Sequence, residues 1–386
     1  METEKDAVEE VGRGGSLSLK ETNLKLVLRK MYEKRKTTKL ELAQSLNMSI
    51  PTVTTCIRKY MDANLVRLSD EAVYTGGRKA KVFEFNSLGR IAIGVKLLKE
   101  SAEIVATDLY GSILEESTFD RPFEDDESYY ESFGTWVNNF ILALPYEQSL
   151  ILGVCIALQG LVSMDGEEVY YTEILKSPGI SRATFQRHIL FKVFLMHDLE
   201  ASAFFELMVR RDIRNAVYLI LNKNFGGLLI LERSVKNMLG VPCSTIEHLT
   251  IDPSGPECYC GKRGCVESFC SADTLRREIG TESFTEFFKK MHDGDEREML
   301  IWKRYVGYLA SAINNVRMVL NLDILLGGYL VQFMNDDDVA YIREEVDRTY
   351  PFSRIGSVTI KVSRYSDDTI KLGAALYLID RALEVL

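Results

Sequence analysis

The segment PECYCGKRGCVES, residues 256–268, places Cys258, Cys260 and Cys265 within eight positions of one another. A Cys-x-Cys pair with a third thiolate after a Gly-rich turn can face one tetrahedral metal ion, because the turn folds the chain back on itself. Such a site takes four ligands, and the chain holds only four histidines. His248 lies ten residues before Cys258, across a Pro- and Gly-bearing stretch, LTIDPSGPE, suited to a returning loop. A structural Zn2+ held by His248, Cys258, Cys260 and Cys265 is therefore expected. The alternative, three crowded thiols without metal, would be costly and prone to oxidation. Seven cysteines, an odd number, argue against a disulfide framework and for a reducing, cytoplasmic compartment.

The elements that must carry this loop are those of a globular chain. The 386 residues are 46% apolar and 27% charged, enough for two or three domains with ample core. No stretch approaches the roughly 18 apolar residues of a membrane span. Residues 1–15, METEKDAVEEVGRGG, read as a disordered leader, with no apolar segment of the kind a signal peptide carries. The net charge of -9 is unevenly placed: residues 16–85 hold 14 Lys or Arg against 7 Asp or Glu. A basic module is joined to an acidic body, so nucleic acid is expected to meet the first ninety residues or none.

Within that module, apolar residues recur at helical spacing in three bursts: Leu24, Val27, Leu28 and Met31; Leu40, Leu42, Ala43 and Leu46; Val53, Ile57, Tyr60 and Met61. Thr38 and Glu41 form a capping-box pattern at the second, while Ser49 and Pro51 supply cap and first turn of the third. This is a helix-turn-helix pattern. Two alternating segments follow, LVRLS and KAKVFEF, joined by YTGGRKA, which reads as a hairpin with a cationic tip and makes the module, residues 16–86, a winged helix-turn-helix. The residues expected to face double-stranded DNA are Ser49, Thr52, Thr54, Thr55, Arg58 and Lys59 on the third helix, with Arg78 and Lys79 on the wing. A three-helix domain with a merely solvated charged face is the competing reading.

After NSLGR, residues 86–90, short apolar runs alternate with helical stretches to the C-terminus, the pattern of an α/β body. Strands are expected at IAIGVKLL, AEIVATDL, LILGVCIAL, AVYLILN, GLLILE and DILLGG. His248 followed by CYCGKRGCVES resembles the zinc motif of the ROK family of repressors, open reading frames and sugar kinases. TGGRK resembles the wing turn of its repressor branch, while LASAINNVRMVLNLDILLGG and IKLGAALYL resemble its late helix, strand and closing helix. The resemblance spans almost the whole chain. It implies a two-lobed actin-like, hexokinase-like (ribonuclease H-like) body over 90–386. The first lobe would take about 90–203 plus the helix at 370–386, and the second about 204–369 with the zinc site.

The resemblance also implies a phosphoryl-transfer machinery that can be inspected position by position. Family kinases open the body with G-V-D-x-G-G-T; the matching residues here are Gly94, Val95, Lys96, Leu97, Leu98, Lys99 and Glu100. Lysine replaces the carboxylate, and side chains stand where a phosphate needs bare backbone. The second phosphate loop, G-T-G-x-G, matches NKNFG at 222–226, where only Gly226 remains. Asp198, in MHDLE, occupies the general-base position of the family's E-N-D-x-N, or else caps the helix that follows. Of the family's sugar-binding groups, Asp198, His248 and Glu267 persist, whereas His197 stands for the Asn, Thr245 for the Glu, and LQG, residues 158–160, for a V-P-G turn. The expectation is thus a cytoplasmic transcriptional regulator, a repressor, that binds a double-stranded operator as a homodimer or higher homo-oligomer. Its body is catalytically degenerate: it holds zinc, takes no ATP and binds no membrane, and a sugar or sugar phosphate is the candidate effector. A divergent sugar kinase acting on a hexose with ATP is the rival, and a scaffold that does not bind DNA the third reading.

Overall fold

The structure, a computed structural model, describes residues 20–75, 78–172, 174–177, 179–235, 245–281, 283–352, 356–365 and 368–385. The expected leader at 1–15 and the wing's two glycines at 76 and 77 lie outside these residues, as do the side chains of Arg78 and Lys79.

The N-terminal module contains helix α1 (20–34), strand β1 (Lys36–Thr38), helices α2 (Lys39–Leu46) and α3 (Ile50–Asp62), and the hairpin β2 (Val66–Thr75) and β3 (Arg78–Phe85). Both caps form as the residue types dictate. Thr38 and Glu41 complete a reciprocal capping box, and Ser49 accepts the Thr52 N–H at 3.2 Å. Val27, Leu28, Met31, Leu42, Val53, Ile57 and Tyr60 are buried together, whereas Leu40 and Met61 stay exposed. Strand pairing reaches Thr75 opposite Arg78. The sequence pattern missed β1, three residues that add an edge to β3.

The body holds two sheets. The first has the order β10-β7-β4-β5-β6, from β4 (Ile91–Leu97), β5 (Ala102–Thr107), β6 (Ile113–Phe119), β7 (Ile151–Leu158) and β10 (Val193–His197). The second has the order β12-β11-β13-β14, from β11 (Ala216–Leu221), β12 (Phe225–Ile230), β13 (Asp323–Gly327) and β14 (Ile360–Val362). A small hairpin, β8 (Leu161–Val162) with β9 (Val169–Tyr171), lies between them in sequence. Helices α4 (Glu127–Ala143) and α5 (Arg182–Gln186) serve the first sheet. Helices α7 (Glu267–Cys270), α8 (Ala272–Ile279), α9 (Phe284–His292), α10 (Glu296–Arg317) and α11 (Asp336–Thr349) contribute to the core of the second. All six strands expected from apolar runs are present; β6, β8, β9, β10 and β14 were not foreseen.

Two helices join the parts. α6 (Asp198–Val209) begins where β10 ends, and the closing helix α12 (Thr369–Val385) packs on α6, β4 and β7. The approach is so close that a side-chain carbon on Gly94 would lie 2.0 Å from the Lys371 carbonyl oxygen, and one on Gly373 would lie 1.8 Å from the Ala201 carbonyl oxygen. α12 is about 25 Å long at 1.5 Å per residue. Near its start Ile370 lines the central cleft; near its end Leu383 shares a hydrophobic cluster with Val27, Leu28 and Met31, and Glu384 pairs with Arg29 at 3.6 Å.

The segment NSLGR is a docked turn. Asn86 Nδ2 donates to the Asn64 carbonyl at 2.9 Å, the Arg90 guanidinium donates to the Ala63 carbonyl at 3.1 Å, and Leu109 N–H donates to Ser87 at 2.9 Å. Tyr32, Phe85 and Tyr110 form an aromatic cluster across this junction, with centroids 5.0 to 5.5 Å apart, and Arg35 lies 4.4 Å over Tyr110.

The close packing of α12 makes a signed prediction. Alanine normally stabilises a helix relative to glycine. Gly373→Ala should instead lower stability by about 2 kcal/mol or more, because backbone must move to admit one methyl group. Denaturant unfolding measures it; a stabilised variant would contradict the packing described.

Candidate functional site

Between the two sheets opens a cleft of about 630 Å³. Its walls come from the end of β4 and the turn after it (Lys96, Leu98, Lys99, Glu100), the start of α6 (His197, Asp198, Leu199), the β11–β12 turn (Asn222, Lys223, Asn224) and the cysteine loop (Thr245, Glu247, His248, Tyr259). The positions compared with kinase motifs are thus brought together.

The cysteine loop is built by its glycines. Gly261 and Gly264 adopt φ of +82° and +72°, and a side chain on Gly264 would strike the Asp252 carbonyl. Cys258 N–H donates to the Lys262 carbonyl at 2.7 Å, closing the turn that aims the thiols inward. The four donor atoms of His248, Cys258, Cys260 and Cys265 all lie within 4.8 Å of one another. Cys260 Sγ and Cys265 Sγ are 3.8 Å apart, and Cys258 Sγ lies 3.6 Å from His248 Nδ1. Tetrahedral geometry with metal–sulfur bonds of about 2.3 Å and a metal–nitrogen bond of about 2.05 Å gives edges of about 3.8 and 3.6 Å. The donor set fits one four-coordinate metal ion.

On the opposite wall Asp198 is the first residue of α6, with His197 at the cap position, so Asp198 is not the helix cap that the sequence left open. Its Oδ1 accepts the Leu199 N–H at 2.9 Å and lies 3.2 Å from His197 Nε2. Burial pushes the Asp198 carboxyl up to about 7 and the His197 imidazole down to about 4. Glu267 is buried and satisfied, accepting Phe225 N–H at 2.5 Å and Asn224 Nδ2 at 3.1 Å; burial raises it to about 7. It therefore supports the β11–β12 turn from behind. Among the retained sugar-binding positions, Asp198 and His248 line the cleft, whereas Glu267 does not.

Sequence comparison passed over Glu247. Thr245, at the position where the family has Glu, is exposed, but two residues on, Glu247 is buried, lines the cleft and is raised to about 8 by burial and by the nearby Glu267 and Asp198 carboxylates. Only its place in a single helical turn, Ile246–His248, turns it inward, which no spacing rule for the motif anticipates.

Lys96, in place of the kinase Asp, is buried and donates to Glu103 at 3.3 Å. Glu103 also pairs with Lys371 at 3.3 Å, and Lys371 reaches Glu116 at 3.2 Å and Asp368 at 2.9 Å. This ion network carries charge from the cleft floor into the first turn of α12. Leu98 and Lys99 stand where bare backbone would meet phosphate, and among the described residues the β11–β12 turn presents Asn222, Lys223 and Asn224 instead of glycines.

On the N-terminal module, Arg58 and Lys59 are exposed and make no ion pair among the described residues; Ser49 and Thr55 are exposed, Thr52 and Thr54 half-buried. The Thr55 hydroxyl donates to the Pro51 carbonyl at 3.1 Å, and Ser49 and Thr52 hydroxyls lie 2.8 Å apart. The helix face is cationic, with its small hydroxyls held by local bonds.

Residues 92–381 match the ROK family. The xylose repressor of Bacillus spizizenii is 22% identical over 377 residues, covering 95% of this chain and 97% of its own. A crystal structure of a ROK family transcriptional regulator, a homologue of the E. coli Mlc protein, superposes with a TM-score of 0.77 at 22% identity, covering 95% of this chain and 97% of its own. A ROK hexokinase from Thermus thermophilus reaches a TM-score of 0.60 at 20% identity, with 76% of this chain covering 99% of it.

Asp198 yields a pH prediction. The folded state keeps its proton up to about pH 7, whereas the unfolded carboxyl loses it near 4, so the folded state binds more protons in that window and its contribution to stability falls as pH rises. The depressed His197 acts with the opposite sign. Asp198→Asn should therefore gain on the parent by up to about 1 kcal/mol per pH unit from pH 4 to 7, then level off. Parallel unfolding curves measure it; a gap independent of pH would contradict the burial argument.

With its family model, its two-lobed fold and its cysteine loop in agreement, the chain belongs to the ROK family.

Proposed function

We propose that the protein is a DNA-binding transcriptional regulator of the ROK type that binds a small metabolite in its cleft without phosphorylating it. One combination carries this reading: a winged helix-turn-helix with an exposed cationic recognition face is docked on a kinase-like body that has Lys96, Leu98 and Lys99 at the end of β4 and in the turn after it. α3 enters the major groove with Thr52, Thr54 and Thr55 toward base edges, while Arg58, Lys59 and the wing residues Arg78 and Lys79 meet the backbone. A homodimer presents two such modules to a palindromic operator. The named relatives, a xylose repressor among them, support both the regulatory role and a sugar as the class of effector.

The metal held by His248, Cys258, Cys260 and Cys265 is zinc in a structural role: four protein donors leave no open position for a substrate. Zinc clamps the loop that presents Glu247 to the cleft, so metal binding and effector binding are linked through one segment.

A second reading, a divergent sugar kinase, is favoured by Asp198, whose carboxyl near 7 suits a general base. Positioning of the phosphoryl donor is what this chemistry needs most, and the side chains of the two turns oppose it. An ATP-dependent phosphorylation assay over a hexose panel should give no turnover; turnover would favour the kinase.

Two further outcomes are expected. Arg58→Ala and Lys59→Ala should each weaken promoter binding across sequences and reduce the slope of log affinity against log salt by about 1; an unchanged slope would remove these residues from the interface. Metal analysis should find one zinc per chain, lost in Cys260→Ser together with a lowered unfolding temperature. A metal-free chain of unchanged stability would contradict a structural zinc.

A further inference from the structure

The start of α3, the end that would enter a major groove, carries none of the side chains that most often tell bases apart. Residues 49–57 read SIPTVTTCI, without Arg, Lys, Asn, Gln, Asp or Glu, and the first charged residue of the helix is Arg58. Guanine is usually read by Arg or Lys and adenine by Asn or Gln, each through a pair of hydrogen bonds. The hydroxyls that remain are largely spent on the helix itself. Ser49 accepts the Thr52 N–H at 3.2 Å, its oxygen lies 2.8 Å from the Thr52 hydroxyl, and Thr55 donates to the Pro51 carbonyl at 3.1 Å. Among the described residues, the Thr54 side chain alone of these has no hydrogen bond within the protein. One hydroxyl that both donates and accepts does not choose a base.

What this end offers instead is apolar. Ile50, the first residue of the helix, is 48% exposed. Thr55 is exposed as well, and with its proton given to Pro51 it brings a methyl group to any contact. The exposed cations Arg58 and Lys59 follow this end of the helix, so the attraction for phosphate lies beyond the apolar turn and not within it. Of the four bases, only thymine shows an apolar group in the major groove, its 5-methyl. We propose that Ile50, with the methyl group of Thr55, recognises thymine methyl groups, so that each operator half-site carries thymine beneath the start of α3. This rests on the reading of α3 as the recognition helix. Phosphate contacts then position the module, while discrimination comes from burying methyl groups, each worth about fourfold in affinity.

The test uses the intact, metal-loaded chain and the duplex it selects from a random pool. Each thymine in turn is replaced by deoxyuridine, which removes the methyl group and keeps the base pair, and fluorescence anisotropy reads the affinity. Replacement at one or more thymines of a half-site should weaken binding about fourfold, and the same replacement in both half-sites about fifteenfold. Ile50→Ala should bind the thymine and uracil duplexes alike at the position Ile50 covers. Thr55→Ser, which keeps the bond to Pro51 and loses only the methyl group, should do the same at a second position. Both side chains are exposed, so these variants leave the fold intact. The assignment is overturned if the selected half-sites hold no thymine, if every uracil duplex binds within about twofold of its parent, or if Ile50→Ala keeps the discrimination at every thymine. Discrimination kept everywhere by Thr55→Ser would strike Thr55 from it. In each of these cases a sequence has been selected, and the regulator reading stands. A pool that stays random would remove that reading and this one together.

Discussion

Backbone contact between α12 and its two neighbours is the constraint from which the rest of the architecture follows. Gly94 on β4 and Gly373 on α12 leave no room for a side chain, so helix, strand and α6 pack backbone to backbone. Together they carry Asp198 at one end of α6, Ile370 at the cleft, and Leu383 and Glu384 against the DNA-binding module. A ligand that changes how the cleft closes therefore acts on an element that physically reaches the module, and the aromatic cluster of Tyr32, Phe85 and Tyr110 leaves little slack at the junction.

Charge placement sets what the end of β4 can hold. Lys96 donates to Glu103, and Lys371 pairs with Glu103, Glu116 and Asp368, so each of the two buried lysines has an acidic partner. Removing one member would strand a charge in a poorly solvated place. The network lies at the end of β4, where Lys96 is held by Glu103.

Much of this could be read from residue types alone. The cysteine loop, the capping box at Thr38, the cap at Ser49 and the six apolar strands depend on local chemistry, and local chemistry is what a single sequence displays. The strands missed have a physical reason. β6 alternates exposed and half-buried residues along a sheet edge, β14 is three residues long, and β10 is embedded in a loop-rich stretch with no flanking turn signal. The site was legible where it follows a motif and illegible where geometry overrides it. Glu247 sits at a position a motif comparison ignores, and Glu267, though retained, turns out to brace Phe225 and Asn224 rather than face the cleft. Lys371 and Glu103 are 268 residues apart in sequence, and only the fold makes them partners.

The central claim is that a cationic front module grips duplex DNA while the body behind it holds a metabolite and not a nucleotide triphosphate. Selection of bound duplexes from a random pool by the intact chain addresses it most directly. The account predicts enrichment of one palindromic sequence whose half-sites are spaced by about one helical turn. A pool that stays random after repeated rounds, from a chain that is folded and metal-loaded, would contradict it.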